Sequence, residues 1–359
     1  MKSHRAPAVA PAGPAPARGP AAARGRSNAD AAAELRARSA DKPRPPGAFH
    51  LLGQVFGDLQ SLHDWVVAEC ARPGSTVAQE PVLHVRLTPG SRVVQHQQVT
   101  WSHHLPHQRL VLDGAGAEVD GTRAGRPTPG FFLSYRPVVG PSSAAAPAKA
   151  NFTMTGLTVR GFESGGVELS PQAGPGAAHR WDAGIAAFME GAVIEGNRFE
   201  DLGSLHSAPG AADWATQRYG VGGILARGTV GSRFSHNRFD DLENGAVAGT
   251  PTGPRLIHGV YLRDGSSHNE VRGNRFSDLS GDAIRVSNAS DHNEITGNRA
   301  RNSGVHALVS EFYNPTAGEA DSVGNRIAGN TPGDTYGPGR RAAQPFREAV
   351  SRKPRPGLA

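Results

Sequence analysis

Residues 268–300 read HNEVRGNRFSDLSGDAIRVSNASDHNEITGNRA, and this stretch contains one short pattern twice. His268-Asn269-Glu270 returns 24 residues later as His292-Asn293-Glu294. The motif around Gly-Asn-Arg recurs in both directions along the chain, with its asparagine at Asn197, Asn237, Asn274, Asn298 and Asn330. Self-similarity of this length indicates a stacked repeat architecture.

Each repeat is about 22–25 residues long and predicts three short strands. Apolar residues alternate within a repeat, as Val260 with Leu262 and Ile284 with Val286, which is typical of strands that bury one face. No single repeat can bury its apolar face alone, so the coils must stack into a parallel β-helix. The wider spacing of the earlier asparagines predicts loops inserted into shorter coils.

On these repeats the chain resembles the right-handed parallel β-helix superfamily, the pectate-lyase-like proteins with tandem short repeats. The resemblance covers roughly residues 50–335. It implies an all-β fold, a right-handed parallel β-helix or solenoid with a short N-terminal capping helix and disordered tails.

The repeated asparagines and phenylalanines are predicted to be structural. An asparagine side chain tolerates left-handed backbone and can bond to the neighbouring turn, so the five asparagines should form a ladder. Phe199, Phe239 and Phe276 follow two residues later and should stack inside the core.

Composition and charge exclude several classes of protein. Gly (46) and Pro (28) are too abundant for a compact helical protein, and no apolar stretch is long enough for a membrane span. The net charge of +6 is concentrated in the tails, because residues 1–47 carry +6, residues 337–359 carry +5, and the remainder carries −5. Specific nucleic-acid binding by the body is therefore disfavoured.

The chain divides into four predicted segments. Residues 1–47 form a disordered Ala/Pro/Arg-rich segment, residues 48–110 the N-terminal cap and first strands, residues 111–335 the β-helix, and residues 336–359 a basic flexible tail. Asp58 through Ala71 is predicted to be an amphipathic helix with Asp58 as its N-cap. The first segment lacks the unbroken apolar stretch of a secretory signal, so the sequence reads as cytoplasmic, whereas the resemblance implies secretion.

Function should come from residues that interrupt the repeat. If Val260 stacks on Ile284 and Leu308, then His258, Asp282 and His306 form one column, with neighbours about 4.8 Å apart. Asp282 would lie between two imidazoles, where it would raise their pKa values and orient a general base.

Tyr261 and Arg285 should point outward, with Arg263 and Glu311 nearby, and line an outer groove. The alternative is a hydrogen-bonded stack of turns with an ordinary solvated arginine.

The resemblance implies activity on acidic polysaccharides, by β-elimination or C5 epimerisation of a uronate. Both reactions need a base, a cation for the enolate-like carboxylate and a proton donor. His258 or His306 would be the base, Asp282 its orienting group, Arg285 the cation and Tyr261 the acid. Arg263, Glu311, Trp214 and Tyr219 would bind the glycan, the last two from the long loop of residues 202–220.

Other functions remain open from the sequence. Glycoside hydrolysis needs two carboxylates about 6.5–9.5 Å apart, and Asp264 or Asp278 could partner Asp282 only from outside its column. A non-catalytic carbohydrate-binding or accessory module and an intracellular biosynthetic isomerase or lyase are further alternatives. The expected partner is an acidic polysaccharide or oligosaccharide, and the protein is expected to be a monomer.

No metal site is predicted with a defined ligand set. His96, His103, His104 and His107 are clustered in sequence but lack a regular spacing with a carboxylate. Asp201, Asp240 and Asp241 read as solvated turn acids that could bind calcium together with backbone carbonyls. Calcium is the one cofactor that the sequence suggests.

Overall fold

The computed structural model describes residues 44–174, 186–206, 220–244, 257–304, 306, 308–313, 315 and 318–336. The predicted tails therefore lie outside the described residues, except for their inner ends. Residues 44–47 were expected to belong to the disordered segment, but Gly47 donates to the Arg92 carbonyl and Pro46 forms a bridge with Arg92. Ordered pairing thus begins a few residues earlier than the composition suggested.

Most of the described chain is short β-strands arranged in parallel sheets, which confirms the predicted parallel β-helix. Sheet I has ten strands, β1 Phe49–Leu51, β2 Gln54–Phe56, β3 Val82–Leu87, β6 Arg109–Asp113, β10 Phe152–Thr155, β14 Val193–Glu195, β18 Arg233–Ser235, β21 Glu270–Arg272, β24 Glu294–Thr296 and β27 Arg326–Ala328. Within it, β1 pairs antiparallel with both β2 and β3, and the remaining pairs are parallel.

Two further sheets complete each coil. Sheet II contains β4 Arg92–Val94, β7 Glu118–Asp120, β11 Thr158–Arg160, β15 Arg198–Leu202, β19 Arg238–Leu242, β22 Arg275–Leu279 and β25 Arg299–Ser303. Sheet III contains β5 Val99–Trp101, β8 Phe131–Tyr135, β12 Gly165–Leu169, β16 Gly222–Arg227, β20 His258–Arg263, β23 Ile284–Ser287 and β26 Val309–Phe312. A small parallel sheet joins β9 Ala148–Lys149, β13 Met189–Glu190 and β17 Thr229–Val230.

The helical elements lie outside the stack of coils. Helix α1 spans Leu59–Cys70, and the Asp58 side chain accepts a hydrogen bond from the Ser61 backbone, as the sequence predicted. A short helix α2, Thr76–Gln79, follows it, and a single 3-10 turn covers Ser204–His206. Within the described ranges, no helix has both the length and the apolar character that crossing a membrane requires.

The core lies between the three sheets, where buried side chains of successive coils stack in columns. The Phe199 and Phe239 rings stack at 5.1 Å, and the Phe239 and Phe276 rings at 4.8 Å, as predicted. The spacing equals the distance between strands, so identical side chains in successive coils fall on one another. Gly223 and Gly259 face these rings, where a Cβ would collide with Phe239 and Phe276 respectively.

The asparagine ladder is also confirmed. The Asn197, Asn237, Asn274 and Asn298 backbone amides each donate to the side-chain oxygen of the next asparagine, at 2.8–3.0 Å. A second ladder, which the repeat analysis did not single out, runs through Ser232, Asn269, Asn293 and Asn325 at an adjacent turn. Each ladder satisfies backbone amides that turn away from the sheets, so the turns are held in register.

Candidate functional site

Strands β20, β23 and β26 carry the predicted site at the corner where sheet II leads into sheet III. Val260 pairs with Ile284 as predicted, but Ile284 pairs with Val309 and not with Leu308. The expected register at Leu308 was therefore wrong by one residue. Just before β26, the Leu308 amide donates to the His306 carbonyl at 2.7 Å.

Despite this shift, the structure brings His306 onto Asp282. The His306 backbone amide donates to Asp282 Oδ1 at 3.0 Å, and its ring Nδ1 lies 3.1 Å from Asp282 Oδ2. Gly304 makes the approach possible, because its φ of 46° is left-handed and a Cβ there would overlap Asp282. The imidazole is 58% exposed, and its Nε2 has no hydrogen-bond partner among the described residues.

His258 occupies a different environment from the one predicted. Its Nδ1 lies 3.2 Å from the Asp282 backbone carbonyl, not from the carboxylate, and the residue is 1% exposed. Burial lowers the pKa of His258 to about 4, although the nearby Asp282 charge acts in the opposite direction. The expectation that Asp282 would raise both imidazole pKa values is therefore wrong for His258, which is neutral at physiological pH. Its buried Nε2 has no partner among the described residues.

The electrostatics of Asp282 and His306 follow from their mutual contact. Burial alone would raise the pKa of the Asp282 carboxyl, but hydrogen bonds from the His306 ring and backbone and from Ser310, together with the nearby His258 imidazole, hold it well below its usual range. The hydrogen bond to Asp282 in turn raises the pKa of His306. Asp282 is consequently an ionised, buried carboxylate that favours the protonated form of an exposed imidazole.

Arg285 and Tyr261 complete the group, and both point outward as predicted. Arg285 Nη1 lies 4.0 Å from Asp282 Oδ2. The guanidinium also lies 5.9 Å from the Tyr261 ring centre and 4.5 Å from that of Phe312. We refer to Asp282, His306, Arg285, Tyr261 and Phe312 as the His306 cluster.

Phe312 was missed because of the register error. With Val309 opposite Ile284, Phe312 falls opposite Ser287 on the outward face and is 49% exposed. Sequence analysis also missed Ser287, whose hydroxyl lies 3.2 Å from the Tyr261 hydroxyl.

The other predicted binding residues lie apart from the His306 cluster or are already paired. Glu311 is exposed, but it takes the register of the inward-facing Val286 and accepts a hydrogen bond from Asn325, so it lies on the opposite face of the strand from Arg285 and its partner Ser310. Arg263 lies against the Tyr261 ring, but it is buried and bonds to Asp264 and Glu319 at 3.0 and 3.2 Å. Trp214 and Tyr219 lie outside the described residues.

The acids that the sequence offers for hydrolysis or calcium binding have partners of their own. Asp264 accepts from Arg227 and Asn288, each at 2.7 Å, and Asp278 accepts from Ser277 at 2.6 Å. Asp201 and Asp240 were expected to be solvated, but both are buried and paired with arginines. Each of these carboxylates is therefore committed to a neighbouring side chain.

Metal-ligating side chains are not clustered in the described ranges, where no three His, Cys, Asp or Glu residues are placed to hold an ion. The histidine-rich patch is dispersed. His103 lies 3.0 Å from the Gln108 side chain and His107 lies 2.9 Å from the Ala78 carbonyl, whereas His96 lines a separate pocket.

Comparison with known protein families agrees with this architecture. A family model described as a right-handed beta helix region matches residues 146–336. The A-module of a mannuronan C-5 epimerase of Azotobacter vinelandii is 13% identical over 78% of this chain and 85% of that one, with a TM-score of 0.32. The ORF18 structure of Geobacillus virus E2 is 14% identical over 79% and 56% of the two chains, with a TM-score of 0.30. No curated protein matches the chain.

Proposed function

Because the chain belongs to the right-handed beta helix family, whose coils bring residues distant in sequence onto one surface, we propose that the His306 cluster is an active site. Its substrate would be a uronate residue of an acidic polysaccharide, and its reaction the removal of the C5 proton. One observation carries the proposal: a buried, ionised Asp282 carboxylate holds an exposed imidazole and a guanidinium together at the surface.

His306 is the proposed base. Its Nδ1–H donates to Asp282, which leaves the exposed Nε2 as the atom that accepts a proton. A carboxylate in this position fixes the tautomer of the imidazole and stabilises the imidazolium that forms. His258 is too deeply buried to reach a polysaccharide and serves as a positioning residue through the Asp282 carbonyl.

Arg285 and Tyr261 supply the remaining groups. Arg285 would neutralise the uronate carboxylate as negative charge moves onto it from C5. This stabilisation makes the C5 proton acidic enough to be removed. Two guanidiniums, those of Arg263 and Arg285, lie 5.6 and 5.9 Å from the centre of the Tyr261 ring. The Tyr261 hydroxyl is the proposed proton donor.

Removal of the C5 proton is the first step of two different reactions, and the atoms and electrons balance in both. In β-elimination the C5–H electrons form the C4–C5 double bond, the C4–O4 bond breaks, and O4 takes the Tyr261 proton. In epimerisation the bond to O4 stays intact, and C5 takes a proton from Tyr261 on the opposite face. In both cases His306 then releases the C5 proton to solvent and the Tyr261 phenolate takes up a proton from solvent, which restores both groups.

The test uses a panel of uronate polysaccharides incubated in deuterated water. A lyase produces ultraviolet absorbance from unsaturated uronate ends, and an epimerase introduces deuterium at C5 with inversion, which proton NMR detects. We expect His306→Gln to reduce either rate by about 100-fold or more, the usual contribution of a general base. Arg285→Gln should cause a comparable loss, because the carboxylate charge is no longer neutralised.

Matched controls come from the same chain. His50→Gln changes an exposed histidine in sheet I, and Arg299→Gln changes an exposed arginine in sheet II, so neither should alter the rate. If wild-type protein neither produces unsaturated ends nor exchanges C5 protons on any uronate polymer, the catalytic proposal is wrong.

A second candidate, a non-catalytic glycan-binding module, is supported by the exposed aromatic residues beside Arg285. Phe312 and Tyr313 are 49% and 39% exposed, and such rings stack on the apolar faces of sugars. This alternative predicts that Phe312→Ala abolishes glycan binding in a protein that shows no turnover.

A further inference from the structure

A pocket of about 480 Å³ lies at the same corner of the solenoid as the His306 cluster, several coils closer to the N-terminus. It is formed by the segment between β7 and β8 together with the turn between β4 and β5. Its lining includes His96, Arg123, Arg126, Pro127, Thr128 and Pro129. The side chains that line it include two arginines and a histidine but no carboxylate.

The two arginines are held side by side by a tight hairpin. The Arg123 and Arg126 backbones exchange hydrogen bonds of 2.8 and 3.0 Å. The two residues between them, Ala124 and Gly125, have φ values of 50° and 74°, as a type I′ turn requires. Paired residues of a hairpin project from the same face with Cβ atoms about 5 Å apart, so two positive charges are fixed next to each other.

No described residue neutralises this pair of charges. Arg123 and Arg126 are exposed, and within the described ranges neither guanidinium makes an ion pair or a hydrogen bond. By contrast, the less exposed Arg92 and Arg136 form ion pairs with Glu118 and Glu168, at 2.6 and 2.8 Å. Opposed like charges destabilise a hairpin, and an anion between them would relieve the repulsion.

The floor of the pocket is rigid. Thr128 donates from its hydroxyl to the Gly121 carbonyl and from its amide to the Gly161 carbonyl, at 2.5 and 2.8 Å. Its own carbonyl accepts from Glu163. These bonds tie the segment to the next coil, so the arginines are presented from a fixed base and binding would order only their side chains.

We propose that this pocket, the Arg123 pocket, binds a uronate carboxylate of the same polysaccharide that reaches the His306 cluster. The inference rests on the proposed function. Strands β8 and β23, which follow the pocket and the cluster respectively, are four strand positions apart in sheet III. At about 4.8 Å per position, that separation is about 19 Å along the solenoid axis. A glycan of several residues is needed to reach both sites, so the pocket selects long acidic chains.

The experiment measures binding by calorimetry in a His306→Gln background, so that no substrate is consumed. The probes are a uronate disaccharide, a uronate octasaccharide and a carboxyl-reduced octasaccharide. We expect Arg123→Ser/Arg126→Ser to weaken octasaccharide binding by about tenfold or more, which corresponds to about 1.4 kcal/mol. Binding of the neutral, reduced octasaccharide should be the same with and without the two arginines.

The control is Arg275→Ser/Arg299→Ser, which removes two exposed arginines that neighbour each other in sheet II. It changes the net charge equally but leaves the Arg123 pocket intact. Equal losses in the two double variants would show that only overall charge matters and would overturn the proposal, as would an unchanged octasaccharide affinity. Thermal unfolding of both variants checks that the hairpin still folds.

The measurements distinguish a failure of the pocket proposal from a failure of the catalytic proposal. If wild-type protein has no activity on uronate polymers but the Arg123 pocket variant still loses octasaccharide binding relative to the control, the pocket is correct and the catalytic assignment is wrong. If turnover is normal and octasaccharide binding is independent of Arg123 and Arg126, the pocket proposal alone is wrong.

Discussion

His258 is a buried imidazole whose neutral form the fold requires, and this makes stability depend on pH. Its pKa is lowered from 6.5 to about 4 by burial, so between these values the unfolded chain binds a proton that the folded chain excludes. Its contribution to stability is complete above pH 6.5 and is lost as the pH falls toward 4, by about 1.4 kcal/mol per unit. Urea unfolding at about pH 7.5 and about pH 4.5 measures this loss.

The matched variant is His258→Gln, which can still donate to the Asp282 carbonyl but does not titrate. We expect its free energy of unfolding to vary less with pH than that of the wild type. His306 acts in the opposite direction, because its raised pKa adds stability below 6.5 that is lost as the pH rises through its folded value. The difference between wild type and His258→Gln isolates the buried group, and parallel pH curves would contradict its assignment.

The contact between His306 and Asp282 predicts a characteristic pH dependence of activity. A base must be deprotonated, so kcat/KM should rise with pH and reach a plateau, with a midpoint above 6.5 because Asp282 raises the pKa of His306. In Asp282→Asn the midpoint should move to lower pH and the plateau should fall. A purely structural role for Asp282 would lower the plateau without moving the midpoint, which the pH profile distinguishes.

At the scale of elements, the asparagine ladder determines how firmly one turn is fixed to the next. Asn274 accepts from the Asn237 amide at 2.9 Å and donates to the Phe234 carbonyl at 2.9 Å, with no exposure to solvent. Asn274→Ala leaves both buried groups unpaired, at about 1–3 kcal/mol each. We therefore expect a large fall in the urea midpoint.

Asn330, at the last rung, is the control for that substitution. It also accepts from the preceding amide, that of Asn298 at 2.8 Å, but it is partly exposed, so water can replace its bonds. Asn330→Ala should lower the urea midpoint much less than Asn274→Ala. Equal effects would mean that the ladder contributes through turn conformation and not through buried hydrogen bonds.

The elements that the sequence predicted best are those that repeat. In the sequence, the short β-type runs Val82–Leu87, Arg92–Val94 and Leu110–Val119, punctuated by Pro-Gly and Asp-Gly turns, predict strands. The first two strands have these bounds, whereas the third run is divided into two strands by the turn at Gly114–Gly116. The columns of asparagine and phenylalanine were predictable because they recur at a fixed offset. Corners vary in length without a periodic signal, and one added residue after Gly304 was enough to misplace Phe312.

The candidate site was predictable in its membership but not in its contacts. A spacing of 24 residues was sufficient to bring His258, Asp282 and His306 to one corner. It could not show that the His306 imidazole contacts the Asp282 carboxylate whereas the His258 imidazole contacts the Asp282 backbone carbonyl. These contacts depend on the direction and burial of each side chain. The difference in burial between His258 and His306 gives their pKa values shifts of opposite sign.

At the scale of the whole molecule, a stack of coils must be closed at its first end. Helix α1 covers that end: Leu62 and Val66 are fully buried, and the His63 ring lies 5.1 Å from Trp101 of β5. Without the helix, the apolar interior of the first coil and its strand edges would be exposed, and such edges pair with other chains. The integrity of the solenoid therefore depends on a short segment outside the repeats.

Two aspartate substitutions in α1 test this dependence. Leu62→Asp places a charge at a fully buried position, which should detach the helix and produce larger, concentration-dependent species in light scattering after size exclusion. Val67→Asp introduces the same charge in the same helix, but at a side chain that is 42% exposed, and should leave the size distribution of the wild type unchanged. If Leu62→Asp also keeps that distribution and its unfolding midpoint, then α1 lies against the stack without closing it, and the first coil must be protected by its own strands.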